Sequence, residues 1–171
     1  MSSVPSRPFV LPALLVGLLL ALTARPALAD LDVAFVLDTT GSMTGELAEA
    51  QQRLRQLAAA LAQARTGERV RFGVVAFRDR GDAYVTRVSQ LTAEIGTTDA
   101  FLDGLDADGG GDDPESVLAG VMAALRQMDW DRAPATERRV VLVGDAPAHL
   151  DYADEPRPED VIAEARRAEI V

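Results

Sequence analysis

The sequence predicts an α/β domain: a doubly wound, mainly parallel sheet with helices on both faces and one antiparallel edge strand. Two observations carry this. Short, nearly unbroken apolar runs at residues 31–37, 70–77 and 140–143 are the pattern of strands buried on both faces, and amphipathic stretches separate them. One further run, 84–91, alternates apolar and polar residues after a polar turn, as a half-exposed edge strand in a hairpin does. At 171 residues, 48% hydrophobic and 26% charged, the chain suffices for one such domain and hardly for two.

Residues 1–29 hold no acid, carry Arg7 near the start, and run apolar from Phe9 to Leu22 with Pro12 and Gly17 inside. That run is short for a membrane span, which takes about 20 apolar residues. It leads to Ala27-Leu28-Ala29 before Asp30, the small-x-small pattern of a signal-peptidase site. The reading is a signal peptide over 1–29, then a secreted or periplasmic domain over 30–171 with no membrane span after cleavage. Seventeen basic residues, all Arg, face 27 acidic ones, a net charge of −10; without Arg7 and Arg25 the balance is 15 against 27, or −12. So acidic a chain lacks the basic face that binds nucleic acid by releasing counterions. It has no cysteine, which excludes disulfides, thiolate metal sites and cysteine nucleophiles. A metal site must use oxygen, or His149, the single histidine.

The elements follow in order. LDVAFVL at 31–37 is the first strand, and residues 46–64 form a helix whose apolar stripe is Leu47, Leu54, Leu57 and Leu61, with alanine between. VRFGVVAF at 70–77 is the second strand, residues 78–82 (RDRGD) a polar turn, and 84–91 the edge strand. Residues 97–105 form a short helix, and Gly109-Gly110-Gly111 breaks the chain. Asp113-Pro114-Glu115 then opens a helix to about 128, with Asp113 as N-cap, proline at the first position and an acid in the first turn. Residues 140–143 are the fourth strand, entering Gly144-Asp145-Ala146-Pro147. A helix over 158–168 leads into 169–171, which reads as a strand beginning, so the sheet is expected to be incomplete at its carboxyl end. A missing edge leaves an unpaired strand and uncovered apolar surface.

In open sheets of this kind a ligand sits beyond the carboxyl ends of the strands, where the strand order reverses. Three acidic segments fall at such positions: Asp38 to Ser42, Asp112 to Glu115, and Asp145. In an extended loop Asp38, Thr40 and Ser42 alternate, so one carboxylate and two hydroxyls can point to a common spot. Hard oxygen donors of this kind suit Mg²⁺, Mn²⁺ or Ca²⁺. Each residue also has a local role open to it. Asp, Thr and Ser after a strand cap helices, Glu115 complements a helix dipole, and Asp145 forms a turn before Pro147.

An apolar strand ending in DTTGS, a GGGDDPE segment and an apolar strand ending in GDAPAH together resemble the von Willebrand factor type A family over residues 32–171. Asp38, Thr40 and Ser42 match its metal-ion-dependent adhesion motif, D-x-S/T-x-S. The D-x-P-E of Asp112 to Glu115 resembles the integrin β-type branch, whose Glu serves the adhesion metal and whose Asp helps hold an adjacent calcium ion. GDAPAH is similar to that branch's third loop and carries over Asp145 alone. The combined pattern is also similar to stand-alone bacterial and kinase-linked members. The resemblance implies a divalent cation, Mg²⁺ first with Mn²⁺ or Ca²⁺ as alternatives, at Asp38, Thr40, Ser42, Glu115 and Asp145, with Asp112. It implies a protein partner whose Glu or Asp completes the metal's shell, with no bond made or broken. The threonine that the α-type branch supplies from its second loop has no clear counterpart, and an adjacent calcium site has only Asp112, Glu115 and Asp79 to draw on. Family domains run on through two further strands and a closing helix, so the resemblance also implies a carboxyl-terminally truncated domain.

Other chemistries fit less well. An aspartic-protease loop is interrupted by Thr40 and sits in an all-β fold. A phosphotransferase built on Asp38 wants an acid at position 40, which is Thr40. A metal-dependent hydrolase or phosphoesterase using Asp38, Asp112 and Asp145 is the enzymatic alternative, with His149 its one candidate base. Arg80-Gly81-Asp82 is accounted for by the hairpin turn, and the acids from 103 to 113 are alternatively a solvated face.

Overall fold

The computed structural model describes residues 29–111 and 113–171. Asp112 and residues 1–28, and with them the expected signal peptide up to Leu28, lie outside the described residues. The strands are β1 (Leu31–Asp38), β2 (Val70–Phe77), β3 (Thr86–Thr92) and β4 (Glu137–Val143). The helices are α1 (Leu47–Ala64), α2 (Ile95–Asp103), α3 (Val117–Gln127) and α4 (Pro158–Ala168), with a 3-10 turn at Gly41–Gly45. The sheet order is β3-β2-β1-β4. β1 runs parallel to β2 and β4, and β3 is the antiparallel edge strand on β2. This is the doubly wound, Rossmann-like arrangement expected from the sequence.

The pleat of β1 divides the core in two. Leu31, Val33, Phe35 and Leu37 face α1 and α2, where Leu47, Leu54, Ala58 and Leu102 meet them, and Phe35 stacks on Phe72 at 6.1 Å between ring centroids. Ala34 and Val36 face α3 and α4, against Val117, Ala123, Ala124, Leu125 and Ala168. All eight β1 residues are buried, which is why the strand reads as a continuous apolar run. The chain leaves β1 to build β2 on one side and later returns to lay β4 on the other. The strand order therefore reverses at the carboxyl end of β1, and the loops after β1 and β4 flank one crevice.

Four local expectations are corrected. Leu57 is 39% exposed; the buried face of α1 is Leu47, Leu54 and Ala58, because Leu57 lies three residues past Leu54 where the stripe continues at four. α3 starts at Val117 with Ser116 at its N-cap position, so Asp113 caps nothing and Glu115 precedes the helix. Glu115 is instead held in a single parallel bridge to Ala148: its N–H donates to the Pro147 carbonyl at 2.9 Å and its carbonyl accepts from His149 N–H at 3.0 Å. Residues 41–45 coil into a 3-10 turn rather than an extended loop. Residues 169–171 form no full strand, yet Val171 exchanges two backbone hydrogen bonds with Arg138 and Val140 at the outer edge of β4.

At the amino end of the sheet Asp32, 1% exposed, takes a two-pronged ion pair from Arg71 at 2.8 and 2.7 Å and accepts the Asp131 N–H at 2.8 Å. Removing one partner of a buried, fully bonded pair strands the other charge, at a cost of about 3 kcal/mol. Asp32→Ala is therefore expected to lower the urea unfolding free energy by about that amount, measured by circular dichroism.

Candidate functional site

The site is built on the buried carboxylate that ends β1. Asp38 is fully buried. Its Oδ1 accepts the Thr40 backbone N–H at 2.9 Å and the Thr40 hydroxyl at 2.7 Å. Thr40 Oγ1 lies 3.1 Å from Ser42 Oγ, which donates to Asp145 Oδ1 at 2.9 Å. A chain of oxygens thus runs from the first loop to the third, despite the coiling of the first. Thr39 faces the other way: its hydroxyl donates to the Phe77 carbonyl at 2.9 Å and pairs with Tyr84 Oη at 2.8 Å, tying the loop to β2.

Glu115 enters from the second loop, 2% exposed. Asp38 Oδ2 and Glu115 Oε2 are both buried without a hydrogen-bond partner. Oxygens so placed are normally satisfied, and leaving one bare costs about 1–3 kcal/mol or more when charged. Gly110, at φ +69, closes the wall: a Cβ there would stand 2.5 Å from Glu115 Oε1. Gly144 does the same beyond Asp38, where a Cβ would stand 3.0 Å from Oδ2. In front lies a cavity of about 170 Å³ lined by Ser42, Asp113, Glu115, Asp145, Ala146 and Pro147. At about 30 Å³ per liquid water this is a few water volumes, enough for an ion and its oxygen ligands.

The electrostatics are those of crowded like charge. Burial, then the charges of Asp38 and Asp79, push the Glu115 carboxyl up to about 7, and the Thr40 hydroxyl opposes this. Burial raises Asp38 as well; its bonds from Thr40 oppose the shift, and the Asp145 charge adds to it. Among the described residues no arginine pairs with Asp38, Glu115 or Asp145. Nor, among the described residues, do three carboxylate or imidazole groups form a cage by themselves.

Of the expected site residues, Ser42, Glu115 and Asp145 line the cavity, Asp38 and Thr40 are linked to Ser42 by hydrogen bonds, and Asp112 lies outside the described residues. Sequence reasoning missed the layer behind it. Ser116 is fully buried, its hydroxyl 3.0 Å from Asp79 Oδ1 and 2.5 Å from Glu155 Oε1. Tyr152 Oη donates to Asp79 Oδ2 at 3.0 Å, and Asp82 Oδ2 accepts from Asp79 N–H and Gly110 N–H. Asp82 and Arg80 are thereby engaged inside the molecule, Arg80 with Asp154 and Glu155. The sequence signals for this layer are the acids of the 78–82 turn, which a hairpin explains, and Asp79 as a residue an adjacent calcium site could draw on.

An α/β domain with an oxygen-lined crevice at its switch point is the class that fold and site define. Residues 32–169 match the von Willebrand factor A domain family, and the chain belongs to it. It is 31% identical over 121 residues to an ariadne-like RING finger protein, R811, of Acanthamoeba polyphaga mimivirus, covering 71% of this chain and 11% of that protein. It is 30% identical over 120 residues to the alpha-protein kinase vwkA of Dictyostelium discoideum, covering 69% and 19%. The chain thus spans less than a fifth of either relative. Among solved structures it is similar to proximal thread matrix protein 1 of the mussel byssus with a zinc-occupied MIDAS motif (TM-score 0.62, 16% identity, 85% of this chain and 35% of that one). It is also similar to the pilus adhesin SpaC of Lactobacillus rhamnosus GG (TM-score 0.56, 15% identity, 68% and 14%). At these identities the structural likeness establishes the fold.

A pH dependence follows from Glu115. Its folded-state pKa lies above its ordinary 4.5, so the folded chain keeps a proton that the unfolded chain releases. In chelator, stability is present below about pH 4.5 and is lost as pH rises to about 7, by roughly 3 kcal/mol at about 1.4 kcal/mol per unit. Urea unfolding between pH 4.5 and 8 measures this fall, and Glu115→Gln is expected to flatten it.

Proposed function

We propose that this chain is a divalent-cation-dependent protein-binding module, secreted or periplasmic, in which Asp38, Thr40, Ser42, Glu115 and Asp145 hold the cation, together with Asp112. The observation that carries the reading is the pair of unpartnered buried carboxylate oxygens, Asp38 Oδ2 and Glu115 Oε2, with no arginine among the described residues to neutralise them and with Glu115, Ser42 and Asp145 lining a cavity. Groups arranged this way fit a hard cation. Mg²⁺ is the first candidate and Mn²⁺ and Ca²⁺ the alternatives. When bound, the cation supplies a positive centre with a coordination position for an oxygen anion. Asp38 and Glu115 supply charge from the floor. Thr40 and Ser42 supply neutral oxygens, and by hydrogen bonding they orient Asp38 and Asp145. A partner's Glu or Asp side chain completes the site from the open side, and no bond is broken.

Membership of the von Willebrand factor A family supports this reading, as do the zinc-occupied motif of the mussel protein and the adhesin role of SpaC. The entry of Glu115, from D-x-P-E, supports the likeness to the integrin β-type and stand-alone bacterial branches. His149, the one candidate base for a hydrolase, is 3% exposed, stacked on Tyr152 at 3.8 Å and bound through Nδ1 to Asp151 at 2.7 Å, a structural placement.

Thermal unfolding in chelator, then with Mg²⁺, Mn²⁺ and Ca²⁺ titrated in, tests the site. The midpoint is expected to rise saturably, with about 2.7 kcal/mol gained at a hundredfold excess over Kd. Asp38→Ala is expected to abolish the rise while leaving the chelated protein at least as stable, because it removes a buried charge facing like charge. A flat response of the folded wild type to all three ions overturns the reading.

A further inference from the structure

Behind the cavity, Ser116 occupies a position that neither the motif nor the family match assigns. Glu115 and Ser116 are consecutive, and their side chains diverge: Glu115 lines the cavity while Ser116 is fully buried among Asp79 and Glu155. One hydroxyl proton is shared between two carboxyl oxygens, and each belongs to a different segment. Asp79 sits in the turn after β2, and Glu155 in the stretch that leads to α4, where Arg80 holds it at 3.3 Å. The Asp79 turn reaches Glu115 a second time, through Asp82, which accepts the N–H of Gly110 at 3.0 Å, the residue that walls Glu115 Oε1. Glu115 is thus fixed by its backbone bridge to Ala148, from behind by Ser116 and from the side by Gly110.

We propose that Ser116 is a positioning residue for the cation site: held between Asp79 and Glu155, it fixes the direction of Glu115 and couples cation binding to the docking of the 149–155 segment. This rests on the cation-site reading above. A hydroxyl suits the role because it is short enough to be fully buried and its single rotatable O–H can be directed to either carboxyl oxygen. Coupling follows by reciprocity: if ordering of 149–155 favours the cation-competent direction of Glu115, bound cation must favour that ordering equally.

The test is Mn²⁺ titration of the full chain by calorimetry, paired with amide hydrogen exchange over 149–155. The wild type is expected to bind, with slower exchange in that segment when Mn²⁺ is present. Ser116→Ala is expected to weaken Mn²⁺ binding at least tenfold and to abolish the Mn²⁺-induced slowing, while its unfolding midpoint in chelator stays near wild type. Ser116→Thr, which keeps the hydroxyl, is expected to restore part of the affinity. If Ser116→Ala does not fold, Glu155→Ala decides instead, with Glu155→Gln as the conservative partner that retains an acceptor. Wild-type affinity in Ser116→Ala, or in Glu155→Ala where that variant decides, overturns the positioning role and leaves the cation site standing. Weaker binding with an equally lowered midpoint in chelator overturns it too, as plain structural damage. Absence of Mn²⁺ binding in the wild type overturns both, which separates the two failures.

Discussion

Everything at the carboxyl end of this sheet is arranged around two carboxyl groups that bury themselves side by side. Among the described residues no arginine pairs with Asp38 or Glu115, their charges repel each other, and each keeps one oxygen without a hydrogen bond. Such a pair is unfavourable in a folded protein by itself, because desolvation and mutual repulsion both penalise the charged forms. The hydrogen bonds from Thr40 offset only part of that cost. Under the proposed reading this is a stored cost that a bound cation would relieve, with the hydroxyls of Thr40 and Ser42 as neutral oxygens that add no further repulsion.

The scaffold suits that task because it is stiff where the site is anchored. β1 is buried on both faces and hydrogen-bonded on both edges, so Asp38 is presented by the most constrained strand of the sheet. Glu115 has no such strand. It depends on one bridge to Ala148 and on the polar layer beneath it, and its placement is therefore more open to influence from the 149–155 segment than that of Asp38.

What the sequence made legible divides along the same line. β1 and β2 could be read to within a residue because both are buried on two faces, and α4 because Pro158 marks its start. The candidate residues Asp38, Thr40, Ser42, Glu115 and Asp145 were legible because they lie within a few residues of strand ends or of the helix start. The start of α3 was misread because Asp-Pro-Glu is a strong local capping signal, and the bridge that overrides it joins Glu115 to Ala148, 33 residues on in the chain. The roles of Asp79, Ser116 and Tyr152 were illegible for the same reason. A buried network assembled from three loops has no period and no spacing, and Asp79 in isolation is one acid in a charged turn. Leu57 differs for another reason: leucine marks the expected face, while the space beneath α1 is filled by Ala58.

The arginines are distributed in a way that gives the molecule a direction. Around the amino ends of the strands Arg65, Arg69, Arg71 and Arg138 are matched to Glu137, Asp30, Asp32 and Glu169; at the other end Arg78 and Arg80 are taken up by Asp106, Asp108, Asp154 and Glu155, which leaves Asp38, Glu115 and Asp145 without an arginine among the described residues. Field lines from the excess negative charge therefore converge on the crevice mouth, which draws small cations inward and repels anything anionic. Under the proposed metal-bridged reading, an acidic partner approaching an empty crevice would meet that repulsion, which favours the order ion first, partner second. Ionic strength then acts on the two steps with opposite sign, slowing the capture of the ion by screening the attraction and easing the approach of the partner by screening what repulsion remains.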